Sequence, residues 1–351
     1  MRRRCTPALA TLPLVALLCA ASCTPPDKPS HNTELLDYAG GRACSKAGGA
    51  LVFARADHIA DGKLSEVVLP GLERTAGVEL VSPEIEVWGC DTSDGGTLVE
   101  GTDIRQCEPA HTAVGGERGC FTSYSAPFDH GTQDDAFAEV NAYFHAHRVT
   151  SFFGRIGHAG LPATLPIVVN FQTKAVEYWF PLDNAFYAGP GLGIPGVFED
   201  LDRGAGMLVF GQGGSIDFSY DNTVVYHEYG HAVLGPERFV HPRTDNFGLD
   251  HLPMSLHEGM ADLFTALLDG QPAVGPYALR HLYGMDFHRN LSRAARCPDN
   301  IEGEPHADGQ IPASALWAAR EDLGGNEATA GIVLDAVLAL GRDSGYDAFA
   351  S

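Results

Sequence analysis

The chain contains the stretch His227-Glu228-Tyr229-Gly230-His231, and 27 residues after its last histidine comes Glu258, within Leu256-His257-Glu258-Gly259-Met260-Ala261-Asp262. Residues four apart share one face of a helix, so His227 and His231 would offer two imidazole nitrogens to one ion. Glu258 would supply the third ligand, and Glu228 would point into the same cleft as a general base. The pattern predicts a zinc site that keeps its fourth position for water.

The residues around the first motif predict that it is helical. Asp221 or Asn222 is a suitable N-cap, and the segment Val224 to Tyr226 gives the helix apolar faces. Gly235-Pro236 would end the helix about three turns later.

The second motif allows two interpretations. Ser255 and Glu258 match a capping box, in which the glutamate only bonds a backbone N–H. Alternatively, Glu258 and Asp262 lie four apart beside an apolar helix face. That spacing suits one carboxylate on the metal and one behind it, where Asp262 would orient a ligand histidine through its second nitrogen.

The chain resembles the gluzincin metallopeptidases of the thermolysin and fungalysin group over about residues 130 to 340. The resemblance is carried by blocks that occur in the family's order. Asn184-Ala185-Phe186-Tyr187 is similar to its substrate-binding edge strand, and Met207 to Gly211 to the strand that follows. The two metal motifs come next, and Pro305-His306-Ala307-Asp308-Gly309-Gln310-Ile311 is similar to the block with the transition-state histidine.

The resemblance implies a fold and further site residues. The implied fold is α+β and zincin-like, with a mixed α/β N-lobe, a mainly helical C-lobe and a zinc cleft between them. Asn184 and the backbone of Ala185 would align the substrate, His306 would stabilise the oxyanion, and Arg280 would hold a substrate carbonyl. Glu302, Glu304 and Asp308 all remain candidates for orienting the His306 ring.

The chain also departs from the family pattern. The family has an oxyanion-binding tyrosine between the second histidine and the glutamate ligand, whereas here no tyrosine occurs between Tyr229 and Tyr277. His241 or His251 would replace it, or nothing does. Calcium is possible, but the family's acidic calcium-binding cluster cannot be assigned to residues of this chain.

The predicted function is therefore that of a zinc-dependent endopeptidase acting on peptides or proteins. A gluzincin aminopeptidase is one alternative, although no carboxylate motif for a free substrate amine occurs near Asn184. The other alternative is a non-catalytic, zinc-stabilised binding lipoprotein on the cell surface. Glu228 argues against it, because a structural zinc site needs no general base and closes its fourth position with protein.

The N-terminus resembles a bacterial lipoprotein signal. Arg2 to Arg4 form a basic region, Pro7 to Cys19 a short apolar stretch, and Ala20-Ala21-Ser22-Cys23 a cleavage site. The prediction is a signal peptide over 1–22, lipid on Cys23, and a tether over 23–34 that holds the protein at a bacterial membrane of the cell envelope, such as the outer membrane. The alternative is an ordinary signal peptide and a secreted protein.

Composition and cysteine usage fit that destination. The net charge of −22 repels phosphate backbones and anionic lipid surfaces, which argues against nucleic-acid binding and leaves the lipid as the contact with the membrane. The oxidising compartment favours two disulfides among Cys44, Cys90, Cys107 and Cys120, with no connectivity evident. Cys297 would be reactive, buried or paired elsewhere.

Apolar periodicity and turn residues predict three segments after the tether. They are a small β-rich, cysteine-containing module over 35–128, a peptidase N-lobe over 129–238, and a helical C-lobe over 239–351. Within them we predict a strand over 165–171 and helices over 134–149, 256–268, 313–322 and 327–340. His306 would then lie in a loop that precedes the third of these helices.

Overall fold

The computed structural model describes residues 48–60, 62–72, 79–92, 95–99, 102–113, 136–175, 178–190, 198–214, 216–236, 238, 243–245, 248–250, 252–283, 289–342 and 344–351. These residues form a mixed α/β structure, which confirms the predicted mixture of helices and strands. The predicted signal peptide and tether, with Cys23, lie outside the described residues, and so do Cys44, Cys120, His241 and His251.

Fourteen strands occur in the described residues. In chain order they are β1 Gly49–Val52, β2 Ser65–Val68, β3 Ile85–Asp91, β4 Thr97–Leu98, β5 Ile104–Gln106, β6 Glu108–Ala110, β7 Leu165–Ala175, β8 Tyr178–Pro181, β9 Ala185–Ala188, β10 Met207–Gly211, β11 Arg243–Asp245, β12 Gly248–Asp250, β13 Ala273–Val274 and β14 Arg289–Asn290.

The same residues contain eight α-helices and two short 3-10 helices. The α-helices are α1 Asp57–Ala60, α2 Ala136–Arg155, α3 Asn222–Leu234, α4 Leu252–Asp269, α5 Ala278–Tyr283, α6 Pro305–Ala319, α7 Asn326–Ala339 and α8 Tyr346–Ala350. The 3-10 helices are Glu199–Leu201 and Phe218–Tyr220. No helix in the described part of the chain is long and apolar enough to span a membrane.

Strand β7 lies in the interior of an eight-stranded mixed sheet. It pairs in parallel with β3 and β10 and antiparallel with β5 and β8, while β9 pairs antiparallel with β10 at one end of the sheet. Its first eight residues are all buried, as expected for a strand covered on both faces. The strand predicted over 165–171 is confirmed, and it continues to Ala175.

The sheet includes strands from either side of the predicted boundary near residue 128. Strand β3 pairs with β7 in the register Ile85 to Leu165. Beside this pairing, Cys90 and Cys107 form a disulfide with their Cα atoms 5.4 Å apart, so one pair of the four candidate cysteines is joined within the described residues. Cys297 is exposed and is a free cysteine among the described residues.

Helix α4 begins earlier than predicted, at Leu252 instead of residue 256. Ser255 therefore lies inside the helix and is fully buried, where it cannot act as an N-cap. The capping-box interpretation of Glu258 is wrong for this reason. Helix α7, at Asn326–Ala339, agrees with the predicted 327–340 to within one residue at each end.

Helix α6 contradicts the prediction that His306 lies in a loop. The helix begins at Pro305, with Glu304 as its N-cap, and it continues through Pro312. Proline has no N–H for the carbonyl of Asp308, four residues earlier, and would normally interrupt the helix. The hydroxyl of Tyr346 donates to that carbonyl instead, which satisfies the group that Pro312 leaves without a donor.

Candidate metal centre

Helix α3 is fixed at both ends by the residues predicted to cap it. Of the two N-cap candidates, Asp221 takes the role, and its Oδ1 accepts from the N–H of Thr223 at 3.0 Å. Its Oδ2 accepts from the N–H groups of Tyr277 and Ala278, which ties the helix to α5. Gly235 ends the helix at a φ of 90°, and its N–H donates to the carbonyl of His231. Every residue of α3 is buried, so the helix is a rigid interior support.

Helices α3 and α4 cross closely at Gly230. A Cβ atom at this position would lie 3.2 Å from Cα of Ala261, so only glycine allows the helices this separation without a shift. Ala261 is three residues after Glu258 in the same helix. The close crossing brings Glu258 beside the two histidines of α3.

The predicted ligand atoms form a small triangle. Nε2 of His227 and Nε2 of His231 lie 3.1 Å apart, and Oε2 of Glu258 lies 3.2 Å from the first and 3.4 Å from the second. Tetrahedral zinc with bonds of about 2.0–2.1 Å holds its ligands roughly 3.3–3.4 Å apart. No other group of three or more His, Cys, Asp or Glu side chains in the described residues is arranged to hold a metal.

Electrostatics within the triangle favour a bound cation. Burial and Arg289 both oppose charge on His227, but the carboxylates of Asp262 and Glu258 outweigh them and raise the pKa of His227 to about 9. Burial alone would raise the pKa of Glu258, yet the surrounding histidines hold it well below its ordinary value. Oε2 of Glu258 is buried and has no hydrogen-bond partner of good geometry in the described structure. A metal ion would satisfy this oxygen, so the residues fit zinc.

The second nitrogen of His227 faces a buried carboxylate. Nδ1 lies 2.8 Å from Oδ1 of Asp262, which is fully buried. The other oxygen of Asp262 lies 3.1 Å from Nε of Arg289 and accepts from the side-chain amide of Gln310 at 2.9 Å. Asp262 is therefore held by Gln310 and lies beside Arg289, close enough to the second nitrogen of His227 to act as its acceptor when a metal occupies the first.

The second nitrogen of His231 faces another histidine. Nδ1 of His231 and Nδ1 of His257 lie 3.1 Å apart, and the two rings are nearly parallel with centroids 4.6 Å apart. Burial and the charge of His231 lower the pKa of His257 to about 3. Sequence reasoning did not single out His257, because adjacency to Glu258 in the chain does not reveal which ring it touches.

His306 lies in the first turn of α6, and its Nε2 is 3.3 Å from Oε2 of Glu258. Of the three candidates for orienting its ring, Glu304 is the one in contact, with Oε1 2.7 Å from Nδ1. This hydrogen bond, together with one from the N–H of Ala307, lowers the pKa of Glu304 to about 2 against the effect of burial. Asp308 instead accepts from the N–H groups of Glu302 and Gly303.

Glu228 is 7% exposed and follows the first ligand on the buried helix. Helix α3 packs against β9, which begins at Ala185 and forms the end of the sheet within the described residues. Ala185 pairs with Phe210, and the carbonyl of Asn184 accepts from Gly211 at 2.9 Å. The predicted substrate-aligning strand and the helix with the histidines are thus neighbours.

An arginine that the sequence did not single out lies beside the predicted ligands. Arg280 is exposed on α5, whereas Arg289, in β14, has a side chain only 15% exposed and reaches Asp262. The sequence carries no local signal for Arg289, because its partner is 27 residues earlier in another element.

Comparison with protein-family models gives no match to this chain, and neither does comparison with curated protein sequences. The function of the protein is therefore inferred from its motifs and from the arrangement of these side chains.

Proposed function

We propose that this protein is a zinc-dependent endopeptidase of the gluzincin type, with a two-lobed, zincin-like arrangement around the metal centre. The observation that carries the proposal is the triangle of His227, His231 and Glu258 ligand atoms, spaced by 3.1 to 3.4 Å. Three protein ligands with no fourth are typical of catalytic zinc, whereas structural zinc has four.

The chain's residues supply the remaining chemistry. Zinc bound there would lower the pKa of water toward about 7 and polarise the scissile carbonyl. Glu228 accepts the proton of the attacking water and returns it to the leaving amine. His306, with a side chain 46% exposed and its Nδ1 held by Glu304, donates from Nε2 to the developing oxyanion as an imidazolium, which carries an N–H on both ring nitrogens.

Substrate would bind as an extended strand along β9. The end strand of a sheet offers unpaired backbone groups, and Asn184 and Ala185 lie where β9 begins, next to the metal helix. For the arginine that holds a substrate carbonyl, Arg289 is better placed than Arg280, since its guanidinium reaches Asp262 beside the ligand His227.

The motifs at the N-terminus support a second part of the proposal. Cleavage before Cys23 and acylation of its thiol would keep the enzyme on a bacterial membrane, with its disulfide in an oxidising compartment. Peptides or proteins of the cell envelope would be its substrates.

The deciding experiment compares the wild type with Glu228→Gln on a peptide library, with zinc content measured on the same preparations. The amide keeps the shape of the side chain but cannot take a proton, so cleavage should nearly vanish while zinc remains. Glu321→Gln, the same change at an exposed position after α6, is the matched control and should cleave like the wild type.

The library should contain N-acetylated peptides. An endopeptidase cleaves them, whereas an aminopeptidase requires the free amine. A wild type that binds zinc and cleaves neither kind of peptide would be a binding protein, and the proposed activity would then be wrong.

A further inference from the structure

The two histidines of the metal centre have different partners at their second nitrogens. Nδ1 of His227 faces the carboxylate of Asp262, while Nδ1 of His231 faces the imidazole of His257. A histidine that binds a metal through Nε2 carries its proton on Nδ1, so each ring needs an acceptor there. For His231, Nδ1 of His257 is the acceptor at hydrogen-bonding distance.

We propose that His257 is a positioning residue for the metal centre, which fixes the tautomer and the ring plane of His231 by accepting the hydrogen bond from its Nδ1. The inference rests on the proposed zinc site and adds a residue that acts through a ligand without touching the metal.

The surroundings of His257 suit this role. It is 6% exposed in α4, and its ring lies within 19° of parallel to that of His231. It precedes Glu258 in the chain, so the helix that supplies the third ligand also supports the second one. A change in the spacing of α3 and α4 would displace ligand and support together.

His257 acts as an acceptor only if its Nδ1 has a lone pair, which puts its own ring proton on Nε2. An imidazole nitrogen is a weaker acceptor than a carboxylate oxygen, so the two predicted ligands are supported unequally, His227 by a carboxylate and His231 by an imidazole. Such partners of metal ligands typically change metal affinity by about 10- to 100-fold when removed.

The test uses two substitutions that keep the branching of the side chain. In asparagine the amide oxygen can occupy the place of Nδ1 in histidine, so His257→Asn retains an acceptor. In His257→Leu a methyl group takes that place, and the acceptor is lost at similar volume. Zinc dissociation constants are measured by competition with a chromogenic chelator on the purified protein, and melting temperatures of the metal-free forms show whether each variant folds.

We expect His257→Leu to bind zinc about 10- to 100-fold more weakly than the wild type, and His257→Asn to stay within about threefold of it. The Co²⁺-substituted forms give an independent signature, because a tilted His231 changes the visible absorption of the ion. Only the leucine variant should show that change.

Equal zinc affinity in wild type and a folded His257→Leu would overturn the inference and leave the proposed peptidase standing. Weak binding by both variants would also overturn it, since the acceptor would not be what matters. If the three proteins bind zinc as expected but the wild type cleaves no peptide, the proposed peptidase activity is wrong and the role of His257 stands. A wild type that binds no zinc would defeat both.

Discussion

The proposed role of His306 as the donor to the oxyanion is supported by two contacts. Its Nε2 lies 3.3 Å from a ligand oxygen of Glu258, and its Nδ1 is held by Glu304. Because the oxyanion exists only as the reaction proceeds, its donor contributes in the transition state and little to zinc or substrate affinity. His306→Ala should reduce turnover by about 100- to 1000-fold, with full zinc content and a near-normal melting temperature.

Glu304→Gln should lower turnover by less than His306→Ala, because the amide oxygen still accepts from Nδ1 but carries no charge. Glu302→Gln makes the same chemical change two residues earlier, at an exposed position, and should have no effect. Loss of zinc in His306→Ala would mean that this histidine is a ligand, and normal turnover with a lower melting temperature would mean that it is structural.

His145, in α2, should make the free energy of unfolding depend on pH. Its ring is fully buried between the hydroxyl of Tyr226 and the carbonyl of Phe53, and burial, aided by the charge of Arg148, lowers its pKa to about 3. Above about pH 6.5 the ring is neutral in both folded and unfolded chains. Below that pH only the unfolded chain binds the proton, so stability falls by up to about 1.4 kcal/mol per pH unit until about pH 3.

The corresponding measurement is the melting temperature between pH 7.5 and 4.5 for the wild type and for His145→Gln. The variant should be less stable than the wild type near pH 7.5 and should lose stability less steeply in acid, so the difference between the two proteins should shrink as the pH falls. Parallel pH profiles for the two proteins would contradict the prediction.

Among the elements, the contact of α4 with α6 determines whether Glu258 and His306 meet. It is made by two glycines, since a Cβ atom at Gly309 would lie 2.7 Å from both the nitrogen of Gly259 and the carbonyl oxygen of Ser255. These are backbone atoms of a buried helix and cannot move aside individually. Gly309→Ala should therefore push the helices apart, at a cost of about 1–3 kcal/mol in stability.

Turnover should fall in Gly309→Ala while zinc remains, because all three ligands lie on α3 and α4. Gly154→Ala is the control, as Gly154 lies exposed in α2 with no atom within 4 Å of an added Cβ. It should be neutral or stabilising by up to about 1 kcal/mol. The measurements are the melting temperature, zinc content and turnover of both variants. If Gly309→Ala is as stable as the wild type, α6 can shift away from α4 at little energetic cost and the prediction is wrong.

The whole molecule should be held at a membrane by lipid on Cys23 alone, since the protein surface is too acidic to bind anionic lipids. Cys23→Ser, expressed in a bacterial host, should leave the membrane fraction and lack acyl chains in its mass spectrum. Cys19→Ser changes a cysteine that would leave with the signal peptide and should stay membrane-bound. An unmodified wild-type N-terminus at or beyond Cys23 would refute lipid attachment.

Features that depend on short-range spacing could be predicted from the order of the residues. Helix α3 follows from its N-cap, its apolar residues and Gly235, and the separation of four residues puts His227 and His231 on one face whatever surrounds them. Strand β7 was equally predictable, because a continuous apolar run of its length suits a strand buried on both faces.

The contacts around the predicted ligands could not be predicted in this way, because they join atoms that are distant in the chain. The capping interpretation of Glu258 was excluded only when α4 proved to begin at Leu252. The helix of His306 contains Pro312, and Tyr346 from a distant part of the chain donates to the carbonyl that the proline leaves without a donor. His257 meets His231 where α3 and α4 cross at Gly230, and Arg289 of β14 reaches Asp262 of α4 from 27 residues away in the chain. The distance between two helices is set by how their side chains pack together. The spacing of residues within either helix does not encode that distance.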